Sequence, residues 1–275
     1  MRAMAVAVLC VGAMGAAGCG GAGAQPDVFD VAVANPYLAL PVWDLTGPDT
    51  PVFRMGGGPG ACPGHFDVIP AEVMQLRAAR VLLRLDFQRG IDDKLQSAIQ
   101  AGLRITEVRI RGGLCEPESY LSACRQTATA LVAARLIDRA AADARLARIK
   151  TRVDAAAGKA RADVTAAGLA GAPVLASKHQ ERFCRWLGLD VVAAFAGDDD
   201  PAAVNRAVAA AKARTARLVV ANVPEGRQVA DRLAGAVGGR VVMLENFPAG
   251  EPARDGFDAL LAANVARLIE ARGGE

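Results

Sequence analysis

From Arg125 to Ala157 the chain runs 33 residues without a glycine or a proline. A stretch of that length, rich in Ala, Leu and Arg and free of both strong helix breakers, reads as helix. Val132, Leu136, Leu146, Ile149 and Val153 fall near one stripe at helical spacing, and Gly158 supplies a stop. At ~1.5 Å per residue such a helix spans about 50 Å, longer than one small domain requires. It could run along two. The length of 275 residues, 52% of them hydrophobic, is ample for one large core or two modest ones.

On both sides of this helix, short apolar strands alternate with amphipathic segments. Downstream the strands are Pro173 to Ser177, Leu189 to Phe195, Leu218 to Ala221 and Val241 to Leu244. The helices between them include His179 to Leu187, a segment capped by Asp200-Pro201 that runs to Arg214, and Gly226 to Val237, with Phe257 to Ala271 at the end. Upstream the pattern is looser: strands at Val28 to Val33, Pro51 to Arg54, Val81 to Leu85 and Leu103 to Ile110, with helices opening at Pro70 and Asp92. Apolar strands alternating with helices indicate parallel sheets covered on both faces. The expected fold is α/β, with two similar lobes, each a four-stranded parallel sheet flanked by helices, joined by one long helix. The expected boundaries are 27–124 for the N-terminal lobe, 125–157 for the linking helix and 158–275 for the C-terminal lobe.

The first 26 residues read differently. Met1-Arg2 is a basic start, Ala3 to Ala17 is small and apolar, and Ala16-Ala17-Gly18-Cys19 closes the segment. This is the pattern of an export signal over residues 1–18. A cysteine directly after Ala-Ala-Gly resembles a bacterial lipobox, which makes Cys19 the candidate for lipidation and a membrane lipid anchor. An ordinary secretory cut after Ala22 or Ala24 is the alternative. The Gly/Ala run within 19–26 would be a flexible tether. Beyond residue 24 no apolar run approaches the ~20 residues of a membrane span. The 32 Lys+Arg against 29 Asp+Glu leave +3, too small and dispersed an excess for a nucleic-acid surface.

In open α/β sheets ligands bind beyond the carboxyl ends of the strands. The loops there carry the chain's chemistry. Met55 to Asp67 comes after the second strand and holds five glycines, Cys62 and His65. Gly112 to Leu121 comes after the fourth and holds Cys115, Glu116 and Glu118. Ser177-Lys178-His179-Gln180-Glu181 comes after the fifth, and Glu245-Asn246 after the eighth. Both histidines of the chain fall in these loops, one from each half. Imidazole with carboxylate is a metal-ligand set. The glycine cluster lacks the spacing of a nucleotide-binding loop, and no GxSxG or HExxH motif is present. In an exported chain Cys62 could pair with Cys115, Cys115 could instead pair with Cys124, or Cys62 and Cys115 could serve as thiolate ligands. Cys184 reads as a buried small hydrophobe.

The order of these segments resembles the metal-binding substrate proteins of zinc/manganese ABC importers, over essentially all of 27–275. His65, with Pro70 and a helix after it, is similar to that family's first ligand loop. Glu116-Pro117-Glu118-Ser119-Tyr120-Leu121 resembles its Asp–Pro–His–x–Trp–Leu segment. Ser177-Lys178-His179, with Phe183 and Leu187-Gly188-Leu189-Asp190-Val191-Val192 downstream, resembles its third, and Val241 to Glu245 its last acidic position.

The resemblance implies His65, Glu118, His179 and Glu245 as metal ligands, with Asn246 an alternative to Glu245 at the strand end. The chain departs from the family at Glu118, where a histidine is usual, and in having no histidine between Ile110 and Cys115. The family likeness further implies an extracytoplasmic, monomeric lipoprotein that captures Zn2+, with Mn2+ next and Fe2+ also suited. It would deliver the ion to a membrane permease without catalysis. Two other readings are a secreted metal-dependent hydrolase with a base such as Glu181, and a scaffold that has lost its metal site.

Overall fold

The computed structural model describes residues 29–56, 67–247 and 256–273. The expected signal segment, Cys19 and the tether lie outside them, as do Cys62 and His65.

The first lobe comprises β1 (Val31–Val33), α1 (Ala39–Thr46), β2 (Val52–Arg54), α2 (Pro70–Leu76), β3 (Val81–Leu85), α3 (Gln96–Gln100) and β4 (Arg104–Val108). Two long helices come next, α4 (Pro117–Ala133) and α5 (Arg139–Ala166). The second lobe comprises β5 (Pro173–Ser177), α6 (Glu181–Trp186), β6 (Asp190–Phe195), α7 (Pro201–Ala213), β7 (Leu218–Asn222), α8 (Gln228–Val237), β8 (Arg240–Leu244) and α9 (Gly256–Gly273). Both sheets are parallel throughout, with orders β2-β1-β3-β4 and β6-β5-β7-β8. The order is the same in each lobe: the second strand lies outside the first, and the third returns on its other side. Each sheet therefore has a switch point, between β1 and β3 and between β5 and β7.

Strand alternation divides the apolar residues between layers. Val31, Val33, Leu83 and Leu85 join Val174 and Ala176 in one core that is continuous through both lobes. Ala32 and Leu82 face outward onto α2 and α3, and Leu175 and Val219 onto α7 and α8. The central core is closed by α5. Its buried residues are Ala142, Ile149, Val153, Ala160 and Val164, spaced alternately by seven and four. That spacing keeps one stripe against neighbours over the whole helix, and α5 packs on α1, α4 and α9. Tyr120 of α4 stacks on Phe257 of α9 at 4.3 Å, with Tyr37 edge-on at 6.0 Å. Arg152 of α5 forks onto Asp44 of α1 at 2.9 and 2.5 Å and reaches Asp258 of α9 at 3.0 Å. The Tyr120 hydroxyl donates to the same Asp44 carboxylate at 2.5 Å.

The helix expected over 125–157 is really parts of two. α4 starts at Pro117 and ends at Ala133, and Arg135 takes a left-handed φ of 56° in the turn. Arg104 donates to the Ala133 carbonyl at 2.7 Å, and Arg80 donates to that of Ala134. These guanidiniums satisfy carbonyls that the end of a helix leaves free. Asp138 then accepts from Ala141 N at 2.7 Å and starts α5. Gly158 is not a stop: α5 continues past it to Ala166, because one interior glycine costs only about 1 kcal/mol and strong helix formers flank it on both sides. Asp138→Ala should lower stability by about 1 kcal/mol, the usual value of an N-cap side chain, in a urea titration.

α1 has no counterpart in the sequence reading. Pro41 disguises it, yet the proline sits in the first turn, where its missing N–H costs no helical bond. Arg84 explains itself only in three dimensions. It lies in the buried run of β3, opposite Glu107 of β4, and bonds Asp92 twice at 2.7 Å and Glu107 at 3.0 Å. Glu107 also accepts from Arg89 and Arg109, each at 2.7 Å. The bonds from Arg89, then Arg109, then Arg84 hold the Glu107 carboxyl down at about 2. A depressed carboxyl contributes stability that is present above its unfolded pKa and lost as pH falls toward the folded value. Acid titration of stability should therefore be shallower in Glu107→Gln than in the native chain between about pH 4.5 and 2.

Candidate functional site

The carboxyl ends of both sheets face the region where α4 and α6 begin. Arg182, in the first turn of α6, donates from Nε to Glu116 Oε1 at 2.9 Å across the two lobes. Glu116 also accepts from Gly113 N at 2.7 Å, so the loop after β4 is folded onto its own carboxylate. The ion pair ties the loop that precedes Glu118 to the helix that begins just after His179.

His179 sits just past the end of β5. Its backbone N donates to Ser177 Oγ at 3.1 Å, which turns the chain sharply and leaves the imidazole 60% exposed. Its Nε2 is 3.7 Å from Glu225 Oε1. Glu225 lies in a one-turn 3-10 segment after β7. Its carboxylate is fixed by the Ser177 hydroxyl and by Gly197 N at 3.3 Å. His179 and Glu225 thus meet at the switch point between β5 and β7. Sequence reasoning passes over Glu225 because its loop contains no histidine or cysteine, and because nothing in chain order says that β7 lies beside β5.

The other expected ligands are placed differently. Glu118, in the first turn of α4, is exposed and lines an open cavity with Arg111 and Arg125. The Glu245 carboxylate points to Arg267, 3.6 Å away, and the Glu245 backbone is paired at N and O with the Asn264 side chain, at 2.9 and 2.8 Å. Asn246 is buried and accepts from Gln180 Nε2 at 2.9 Å, while the same Nε2 donates to Asn222 at 3.1 Å. Gln180 Oε1 is buried without a partner among the described residues. Glu181 is ion-paired with Arg185 at 2.9 Å, one turn along α6. Among the described residues no three His, Cys, Asp or Glu side chains converge to hold a metal ion. The loop bearing His65 lies outside them.

Cys115, Cys124 and Cys184 are free, buried thiols, so the Cys115–Cys124 pairing is not formed. Cys115 crosses the lobe boundary: its Sγ donates to Glu245 O at 3.1 Å and accepts from Asn264 Nδ2 at 3.4 Å. Burial pushes its thiol up to about 12, so it is protonated at neutral pH, which disfavours a thiolate ligand. Cys184 is raised to about 12 for the same reason and packs as a small apolar group.

By sequence, no protein-family model and no curated protein matches the chain. Solved structures do. A manganese-bound periplasmic metal binding protein from Candidatus Liberibacter asiaticus superposes with a TM-score of 0.72 at 9% identity, covering 88% of this chain and 98% of that one. The cadmium-bound form of that protein gives 0.72 at 10% identity, with 88% and 98% covered. The structure of ZnuA gives 0.71 at 16% identity, with 90% and 100% covered. At these identities the likeness is one of fold: two parallel-sheet lobes along a common helix. No helix among the described residues is long and apolar enough to cross a membrane.

Proposed function

We propose that the chain is an extracytoplasmic binding protein for a divalent transition metal, which it captures between its lobes and passes to a membrane permease of an ABC importer. The observation that carries this reading is the His179–Glu225 pair at the switch point of a lobe whose fold is shared with manganese- and cadmium-bound proteins. An imidazole and a fixed carboxylate supply nitrogen and oxygen donors of the kind Zn2+ and Mn2+ take. His65 and Glu118 are the proposed ligands from the first lobe. Glu225 joins the set in preference to Glu245, whose carboxylate already faces a guanidinium. The metal is cargo, and no catalytic step is assigned.

Residues 1–18 are proposed as the export signal and Cys19 as the lipid-anchored residue, with the mature protein acting as a monomer. Zinc is the first choice of ion, since the Irving–Williams order favours it over manganese at a mixed nitrogen and oxygen site, and manganese is the second, following the likeness to zinc/manganese importers. Calorimetric titration of the chelator-stripped chain with Zn2+, Mn2+ and Fe2+ tests this. One saturable site is expected, tightest for Zn2+, with no response to Mg2+, which prefers an all-oxygen shell. Absence of binding to all three transition metals would overturn the reading.

A further inference from the structure

The cavity beside Glu118 is lined mainly by guanidiniums. It holds about 500 Å³ at the start of α4, within the range of small-molecule sites. Four arginines line it: Arg109, Arg111, Arg125 and Arg182. Arg109 is paired with Glu107 at 2.7 Å and Arg182 with Glu116 at 2.9 Å. Arg111 and Arg125 are exposed, and their side chains hold no ion pair or hydrogen bond among the described residues.

The start of α4 adds donors. This 17-residue helix has Glu116 at its N-cap with no side-chain cap bond and Pro117 at its first position. The backbone N–H groups of Glu118 and Ser119 are therefore left without acceptors among the described residues, and the positive end of the helix dipole faces the same space.

Ser119 makes the site more than a helix end. It is 6% exposed, lines the cavity, and its hydroxyl finds no hydrogen-bond partner among the described residues. Gly112 lies directly over it: a Cβ added there would fall 2.4 Å from Ser119 Oγ and 2.9 Å from Glu116 Oε2. Both atoms are the far ends of side chains, so a residue larger than glycine would have to turn the Ser119 hydroxyl and shift the Glu116 carboxylate. Two carboxylates oppose the arrangement: Glu116, whose charge is met by Arg182 at 2.9 Å, and Glu118. The Glu118 carboxylate lines the cavity and has no partner of its own among the described residues.

We infer that this cavity is a binding site for a small, multiply charged oxyanion, held by Arg111, Arg125, the Ser119 hydroxyl and the uncapped N–H groups of α4. Paired guanidiniums suit the planar or tetrahedral oxygens of carboxylate and phosphate groups better than lysine ammonium would. The cavity carries this site by itself, whether or not a metal binds between the lobes.

Isothermal titration of the chelator-treated chain with inorganic phosphate, and separately with citrate, provides the test, with chloride at matched ionic strength as the control. Saturable binding of at least one of the two anions is expected. It should weaken by roughly tenfold or more in Arg111→Gln/Arg125→Gln, since both charged donors are lost. Gly112→Ala should weaken it by displacing the Ser119 hydroxyl, and Arg206→Gln, on the exposed face of α7, should leave it unchanged. Glu118→Gln gives the sharpest sign: it should tighten the anion severalfold, whereas loss of a metal ligand would weaken metal binding. No saturable binding of either anion would overturn the site. So would affinity unchanged in the double arginine variant, whatever the metal titration gives.

Discussion

Phe257→Ala is expected to lower the stability of the whole chain by about 3–5 kcal/mol, the range for deleting a buried aromatic ring. The ring is fully buried and stacks on Tyr120 at 4.3 Å, with an interplanar angle of 7°. It begins α9, the second lobe's final helix, while Tyr120 belongs to α4, the helix after the first lobe's last strand. The cavity left by alanine therefore opens in the core that both lobes share. At the few degrees per kcal/mol of a chain this size, the melting temperature should fall by on the order of 10 °C. The transition should stay single, because neither lobe has an inner core that closes without the other. Two separated transitions, with only one displaced, would contradict the shared core.

The second large effect concerns the proposed ligands. A metal that binds only the native state stabilises it by about 2.7 kcal/mol at a free concentration of 100 Kd. That increment should vanish in His179→Ala and in His65→Ala. Glu225→Gln should remove most of it, because the amide keeps the size of the side chain but loses the charge opposite the ion. Glu245→Gln should keep it, since that carboxylate faces Arg267 instead. Thermal melting of each stripped variant, with and without Zn2+, reads all four. If Glu245→Gln lost the increment and Glu225→Gln retained it, the carboxylate assignment would be reversed.

Much of the fold is legible in residue order because strands buried on both faces must be almost wholly apolar. Val81–Leu85 and Pro173–Ser177 announce themselves in that way, with Arg84 as the one charged residue, explained by Glu107 on the next strand and Asp92 in the segment after β3. Helix ends are less visible. The break at 134–138 depends on Arg80 and Arg104 reaching carbonyls of α4 from the first lobe, a long-range contact with no local signature. The site obeys the same rule. His179 stands out as one of two histidines in the chain, but its carboxylate partner is set by strand order, and Glu225 is 46 residues away along the chain. Glu245 ends its strand as expected, yet a rotation of the side chain toward Arg267 is a matter of packing that spacing does not encode.

α5 has a mechanical consequence. A rod of 28 residues, about 40 Å long at ~1.5 Å per residue, is gripped along one edge by helices from both halves of the molecule. Two bodies fastened to one beam cannot swing apart as on a flexible strap; they can only tilt where the beam is let go. The turns at 134–138 and 167–172 are those places, and each is a short run of backbone between rigid elements. Motion there is small in angle and grows with distance from the beam, so it is greatest at the far rims of the sheets. Exchange of anything held between the halves then falls to the loops at the strand ends, and the beam sets how little the rest must move.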